Sequence, residues 1–543
     1  MEYLGKAEGF NMDLRPPRMD GITCGYMNDW FGDAYVDVVM QTYHRSQPSL
    51  ELLKEDFMRY DRKYVAGTVR EEQSYRMVLQ SVRDQFVLGE KLIPLTLGAV
   101  FESNSMTTDK SPGLPWIQRG YKTKGDVFAC HEARSEIFRT WDRIGNGRGA
   151  TLPDTCAFMR VQLAKEDKQK IRAVWGTPTD VIAEEARFFL PYMAKLKLSD
   201  APIAYRAEMA TGGMSLINDM CQSHPGAKYL MTDLSQFDKS VPPWLIRDAF
   251  GIVMENFDFT RVVGSDGKVW DVNPDRTKRR ISRMIDYFIN TPVRLCNGER
   301  YRKRGGVPSG SMWTNIVDTI VNAIISRYCI FNTSGRLPLA DMYLGDDQFA
   351  VVDGIINLND IAKLMNESFG MVLHPDKCVY TENASNVQFL GYFNRNGLPW
   401  KGNMFLVASM IFPERPVNDN MTRVSRAIGQ MWSTLHGGQA VRWWNIVQAM
   451  LRDFGFTSKE VIENIQSRPG SFRYLRMLGI DISKIGIPTR YGEYILGIDP
   501  PWKSLKSYRP VKWDIDDLDR RSQSIDMEEW HNFIQCMDDS DDE

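Results

Sequence analysis

Apolar residues in this chain fall into runs whose spacing changes from element to element. The sharpest change lies at Met342-Tyr343-Leu344-Gly345-Asp346-Asp347-Gln348-Phe349-Ala350-Val351-Val352. Two short runs rich in aromatic and β-branched residues flank a glycine and two acids, which predicts a β-hairpin with carboxylates at its tip. Upstream, Lys228 to Asp233 reads as a buried strand ending at Asp233, and Pro242-Pro243 open an amphipathic helix to about Phe257. Thr314 to Phe331 reads as a long apolar helix in which Thr314, Asp318 and Asn322, spaced by four, form a polar stripe. Asp360 to Phe369 predicts a short amphipathic helix with Asn359 at its N-cap and Gly370 closing it, and Val387 to Phe393 a second hairpin. After about Arg415 the spacing turns helical, most clearly over Met421 to Leu435 and Ala440 to Phe454.

The N-terminal part is less regular. Residues 1–60 mix Pro, Gly and aromatics with little period, as an arm laid over other structure would, and a more helical region follows to about Leu97. Ser111-Pro-Gly-Leu-Pro-Trp116 forces a stiff, irregular loop in which Ser111 and exposed backbone N–H groups beside Gly113 could hold a phosphate. From Lys165 to Arg172, the cations Lys168, Lys170 and Arg172 alternate with Gln169 and Ile171, so a strand would turn all three toward one anion.

Composition narrows the class. With 543 residues, 43% of them hydrophobic, the chain can bury a large core, divided into about three or four lobes. Its net charge of −2, from 67 basic and 69 acidic residues, gives no global sign of a polyanion partner, so any nucleic-acid surface must be a local concentration. One such concentration runs from Asp275 to Arg304, where Arg276, Lys278, Arg279, Arg280, Arg283, Arg294, Arg300, Arg302, Lys303 and Arg304 outnumber three acids. Eight cysteines without ligand spacing argue against zinc and against a disulfide framework, which predicts a reducing, intracellular setting. The N-terminus does not read as a signal peptide, and Asp318, Asn322 and Arg327 interrupt the most apolar helix, so no membrane span is expected. Asp538 to Glu543 is expected to be a disordered acidic tail, and the absence of a G-x-x-x-x-G-K-[ST] loop disfavours a P-loop NTPase.

The candidate chemistry lies in the acids. Adjacent carboxylates such as Asp346 and Asp347 repel and raise one another's pKa unless a cation sits between them, and hard oxygen ligands suit Mg²⁺ or Mn²⁺. Asp233 at the end of a buried strand points into a crevice, with Asp238 about one turn onward. Between those acids and the hairpin lies a flexible Gly305-Gly-Val-Pro-Ser309-Gly310-Ser311 loop feeding the polar-striped helix, whose stripe is costly to bury unless it binds something.

Order makes the reading specific: strand-terminal acid, Ser-Gly loop, striped helix and Gly-Asp-Asp hairpin follow one another within about 120 residues. Here the chain resembles the viral RNA-dependent RNA polymerases. Asp233 and Asp238 look like their motif A, Ser309-Gly310 to Asn322 like motif B, and Gly345-Asp346-Asp347 like motif C. Lys377 and Phe389-Leu-Gly resemble motifs D and E, Lys165 to Arg172 motif F, and Ser111 to Trp116 motif G. Within the family, Ser-Pro-Gly-Leu-Pro-Trp and Lys-Ile-Arg-Ala-Val-Trp-Gly look most like the polymerases of partitiviruses and picobirnaviruses, which are double-stranded RNA viruses. Leu344 departs from the Tyr-Gly-Asp-Asp of many relatives at a position that packs rather than ligates.

The resemblance implies an α+β right-hand fold with an antiparallel palm sheet and a mostly helical thumb. It places an N-terminal arm bridging fingers and thumb at 1–60, fingers at 61–225 and 258–304, palm at 226–257 and 305–400, and thumb with acidic tail at 401–543. It implies template-directed RNA synthesis from ribonucleoside triphosphates, with two Mg²⁺ or Mn²⁺ ions held by Asp233, Asp346, Asp347 and the Leu234 carbonyl, and Lys377 as general acid. Asp238, Ser309, Gly310, Thr314 and Asp318 would bind the nucleotide and read its ribose; Lys165, Lys168, Lys170 and Arg172 would hold its triphosphate. Ser111, Gly113, Arg302 and Arg304 would contact RNA. Expected partners are template and nascent RNA and viral capsid protein, for a monomer without membrane attachment in the virion interior and host cytoplasm. Competing readings are a non-catalytic RNA-binding or capsid-associated protein of the same fold, which needs no intact acids, a reverse transcriptase, which would carry a bulky aromatic at Asp238, and a metal-dependent nuclease, which needs no Ser309 loop.

Overall fold

In the computed structural model, residues 1–165, 167–435, 440–487 and 507–525 are described. The acidic stretch Asp538 to Glu543 lies outside them. The expected hairpin forms from Ala340–Leu344 and Asp347–Val352, antiparallel and joined through Gly345-Asp346. It heads a four-stranded antiparallel sheet in which Asp347–Val352 pairs with Lys228–Met231 and that strand with Val379–Thr381.

Alternation along these strands explains why the sheet is central. Tyr343, Ala350, Val352 and Leu230 face one apolar cluster, built with the Thr314–Ser334 helix, while Met342, Phe349, Val351, Tyr229 and Met231 face a second. That second cluster includes the C-terminal helices Asn420–Ser433 and Ala440–Phe454. Because successive side chains of a strand point to opposite faces, strands apolar at nearly every position must be covered on both sides.

A second, five-stranded sheet runs in the order Glu2–Lys6, Glu299–Arg302, Pro292–Arg294, Thr155–Val161 and Ile171–Gly176. The first sixty residues, unreadable by period, form a strand of this sheet and then the helices Gly21–Phe31 and Asp33–Thr42, which pack on Met404–Ile411. Asp20 accepts from Arg423 at 3.0 Å, and Arg45 donates to the Phe412 carbonyl. At the other end, Ile515–Ser522 lies along the helix Gln73–Phe86.

Two local expectations are corrected. The Leu358–Phe369 helix is capped by Asn357, whose side chain accepts from the Asn359 N–H, so the cap lies two residues before Asn359. Gly370 does close that helix, with φ of +70°. The strand expected to carry Lys168, Lys170 and Arg172 begins only at Ile171, so the two lysines sit in the preceding loop. No described helix is long and apolar enough to cross a membrane.

Candidate active site

Gly345 takes a φ of +59° at the first central position of the turn between Leu344 and Asp347, a conformation that glycine adopts without a Cβ clash. The long helix grips this turn: the Gly345 N–H donates to Thr319 Oγ1 at 3.0 Å, and Asn322 Nδ2 donates to the Gly345 carbonyl at 2.9 Å. The polar stripe therefore divides its work. Asn322 satisfies the turn backbone, Thr314 Oγ1 donates to the Pro308 carbonyl at 2.6 Å, and Asp318 alone faces the acids. Thr319, next to Asp318 but off the spacing of four that links Thr314, Asp318 and Asn322, carried no sequence signal.

The acids from three parts of the chain meet. Asp233, Asp346, Asp347, Lys377 and the residue Leu234 line one crevice of about 310 Å³ together with Gln348 and Phe389. Burial, then Asp346 and Asp233, pushes the Asp347 carboxyl up to about 6. Burial and Asp238 likewise raise Asp346, with Asp233 adding to the effect and Arg172 opposing it. Burial holds Asp318 well above the carboxylate range, with Asp238 and Asp346 reinforcing it and Arg172 again opposing. Asp233, Asp238, Asp318, Asp346 and Asp347 thus share one negative field, and Arg172 reaches it although Lys168 and Lys170 do not follow it onto the strand.

The donor set fits a hard cation. Mutual repulsion among carboxylates is relieved by a positive charge, and Gln348 Nε2, buried without a partner among the described residues, offers the same crevice a donor for a ligand oxygen. No group of three His, Cys, Asp or Glu among the described residues is drawn together closely enough to hold an ion by itself. An ion here would need oxygens from the Leu234 carbonyl, water or phosphate as well, which suits Mg²⁺. Gln348 also ties the strands, since its Oε1 accepts from the Thr232 N–H at 3.0 Å.

The Ser309-Gly310 loop is held against the second sheet. Ser309 Oγ accepts from the Trp175 N–H at 3.1 Å, and a Cβ on Gly310 would lie 1.6 Å from the Trp175 carbonyl oxygen. Val307 N–H donates to the Asp238 carbonyl at 2.7 Å, joining this loop to the short helix Phe237–Ser240. Beneath it, the Glu185 carboxylate accepts from Ser311 Oγ and from the Met312 N–H. Burial raises Glu185 to about 7. Trp175 stood out only as part of the Lys-Ile-Arg-Ala-Val-Trp-Gly resemblance and Glu185 not at all, because both contacts join segments more than a hundred residues apart.

Other expected contacts are placed differently. Gly113 is buried against Pro178 and its N–H donates to Ser111 Oγ, so the exposed amide expected there is already used. Lys165 pairs in register with Tyr43 and lies over its ring. The basic stretch spends its charge internally: Arg276 pairs with Asp142, Arg280 with Glu184, Arg294 and Arg300 with Asp154, and Arg304 with Glu2. Lys303 is fully buried, donating to the carbonyls of Phe288, Ile289 and Gly306. Arg302 sits in register between Glu2 and Pro292.

The sheet, the helix that holds its turn and the clustered acids are those of a polymerase palm, and the chain belongs to the viral RNA-dependent RNA polymerase family, whose model matches residues 32–402. It is 27% identical over 354 residues to the RNA-directed RNA polymerase of Atkinsonella hypoxylon virus (isolate 2H), a match covering 56% of this chain and 52% of that one. It is 29% identical over 266 residues to the RNA-directed RNA polymerase of Cryptosporidium parvum virus 1 (strain KSU-1), covering 47% and 45%. The matches thus span about half the length of these relatives. Among solved structures, the RNA-dependent RNA polymerase of a human picobirnavirus superposes with a TM-score of 0.61 at 13% identity, covering 87% of this chain and 90% of that one. The fold is accordingly the α+β right hand, as the motifs implied.

Proposed function

We propose that this protein synthesises RNA on an RNA template from ribonucleoside triphosphates. The observation that carries the reading is the meeting of Asp233 with Asp346 and Asp347 in one crevice, in a field shared with Asp238, Asp318 and Arg172. The family match and the paired acids support it.

Phosphoryl transfer needs a placed 3′-hydroxyl, a neutralised triphosphate and an in-line path. Asp233 and Asp346, with Asp347 and the Leu234 carbonyl, would hold two divalent ions, which would supply charge neutralisation for phosphoryl transfer. Arg172, the cation that acts on Asp318 and Asp346, holds the triphosphate, aided by Lys168 and Lys170 from the loop before its strand. Asp238 accepts a hydrogen bond from the ribose 2′-hydroxyl, and Ser309, Thr314 and Asp318 complete that recognition. Lys377 Nζ, exposed on the crevice, gives its proton to the departing pyrophosphate oxygen. Residues 226–257 and 305–400 form the palm, 61–225 and 258–304 the fingers, the helical part from 401 the thumb, and 1–60 the arm between fingers and thumb; Ser111 and Arg302 border the RNA path. The activity serves genome replication and transcription of a double-stranded RNA virus, by a monomer beside capsid protein in the virion interior and host cytoplasm.

The test is incubation with an RNA template, Mg²⁺ or Mn²⁺ and either rNTPs or dNTPs. A template-length product from rNTPs, and little from dNTPs, is expected; no product, or equal use of both, overturns the reading. Lys377→Leu should slow single-turnover incorporation about a hundredfold while leaving the KM for rNTP nearly unchanged. An unaltered rate removes the proton-donor role.

A further inference from the structure

Arg327 is one of the largest fully buried side chains in the molecule, and the catalytic scheme makes no use of it. It lies on the long helix about two turns beyond Thr319, which holds the hairpin turn. Its Nε and Nη2 donate to Asp341 at 2.7 and 3.0 Å, its Nη1 to Ser81 Oγ at 3.2 Å, and its Nη2 also to Gln85. Asp341 accepts in turn from the Tyr343 hydroxyl at 2.8 Å. Asp341 and Tyr343 belong to the strand that runs directly into Gly345 and Asp346.

A buried ion pair of this kind fixes geometry only while every partner is present and water is kept out, because a higher local dielectric weakens it steeply. Here a distant part of the chain covers the guanidinium, while the Asp341 side borders a small cavity lined also by Gln85 and Trp513. The Trp513 ring covers the Arg327 guanidinium at 5.2 Å. Trp513 precedes the helix Ile515–Ser522, which buries Leu518 and lies along Gln73–Phe86. Arg521 grips Asp84 with two hydrogen bonds of 2.7 Å. Ser81, Asp84 and Gln85 are neighbours on that one helix, so it receives both the buried arginine and the returning segment.

We propose that Arg327 is a positioning residue for the Gly345–Asp347 turn, and that the 507–525 segment, seated through Trp513 and Arg521, holds it in place. Docking of this segment beside the start of the Ala340–Leu344 strand thereby sets the activity of the acids at the strand's other end. The proposal rests on the polymerase reading for its activity measurement and on packing alone for its structural one.

The test uses the full chain. Arg521→Asp should unseat the segment and Trp513→Ala should uncover the guanidinium; each should speed amide hydrogen exchange over 340–347. Each should also lower kcat about tenfold while KM for rNTP stays within about twofold. The double reversal Arg521→Asp with Asp84→Arg rebuilds the pair and should restore both measurements, a rescue that general destabilisation would not give. The proposal is overturned if 510–522 exchanges freely in Arg521→Asp while 340–347 and kcat keep their unsubstituted values, or if the double reversal restores neither. Should the unsubstituted chain make no RNA, the polymerase reading fails, and the exchange measurements still decide the coupling.

Discussion

Asp346→Ala and Asp233→Ala each lower nucleotide incorporation by about a thousandfold or more, because residues acting as one catalytic unit are not additive and losing either disables the whole. The fold survives both. Asp346 stands in the turn, which is held by Thr319 and Asn322 through backbone atoms of Gly345 and not through the acid side chains. In the absence of added divalent ions the substitution should even stabilise the protein. Burial, Asp346 and Asp233 raise the Asp347 carboxyl to about 6. A carboxyl raised in this way contributes stability that is full below the ordinary carboxylate range and is lost as pH rises through about 6. Melting temperature should therefore decline from pH 4 toward pH 7 in the unsubstituted chain, and less steeply in Asp346→Ala. Retained single-nucleotide extension in either variant would remove the acids from the chemistry.

Gly310→Ala carries the second large effect. A Cβ there would sit 1.6 Å from the Trp175 carbonyl oxygen, and the obstacle is backbone, so no rotamer change relieves it. Either the loop backs away, taking Ser309 Oγ off the Trp175 N–H, or the Ile171–Gly176 strand gives way and carries Arg172 with it. Both routes disturb groups assigned to the nucleotide. A cost of about 3 kcal/mol in unfolding free energy is expected from overpacking, with incorporation reduced about a hundredfold through a raised KM for rNTP. Denaturant unfolding and steady-state extension measure the two. Near-normal KM would mean that the loop is not part of nucleotide binding.

The central hairpin, the buried strand before Asp233 and the long helix could be read from the sequence because each carries its own period, and the hairpin its own punctuation at Gly345. The partners of these elements could not. Thr319 on the turn, Gln348 on Thr232 and Glu185 under Ser311 are contacts between separate segments, and neither spacing nor composition encodes them. Lys168 and Lys170 were misplaced because alternation continues past the residue where strand pairing begins: the first ladder partner is Ile171, opposite Val161. The N-terminal sixty residues failed for the opposite reason, since elements that pack on other lobes need no amphipathic period of their own to be stable.

The neutralised arginines of the 275–304 stretch bear on how this protein meets a polyanion. Nucleic-acid affinity usually falls steeply with ionic strength because each free cation that binds a phosphate releases a condensed counterion. Arg280, Arg294 and Arg300 already hold carboxylates, so a phosphate arriving there exchanges one anion for another and liberates little entropy. Under the proposed reading, RNA affinity should therefore fall with ionic strength less steeply than the ten basic residues of this stretch would give if all of them met phosphate.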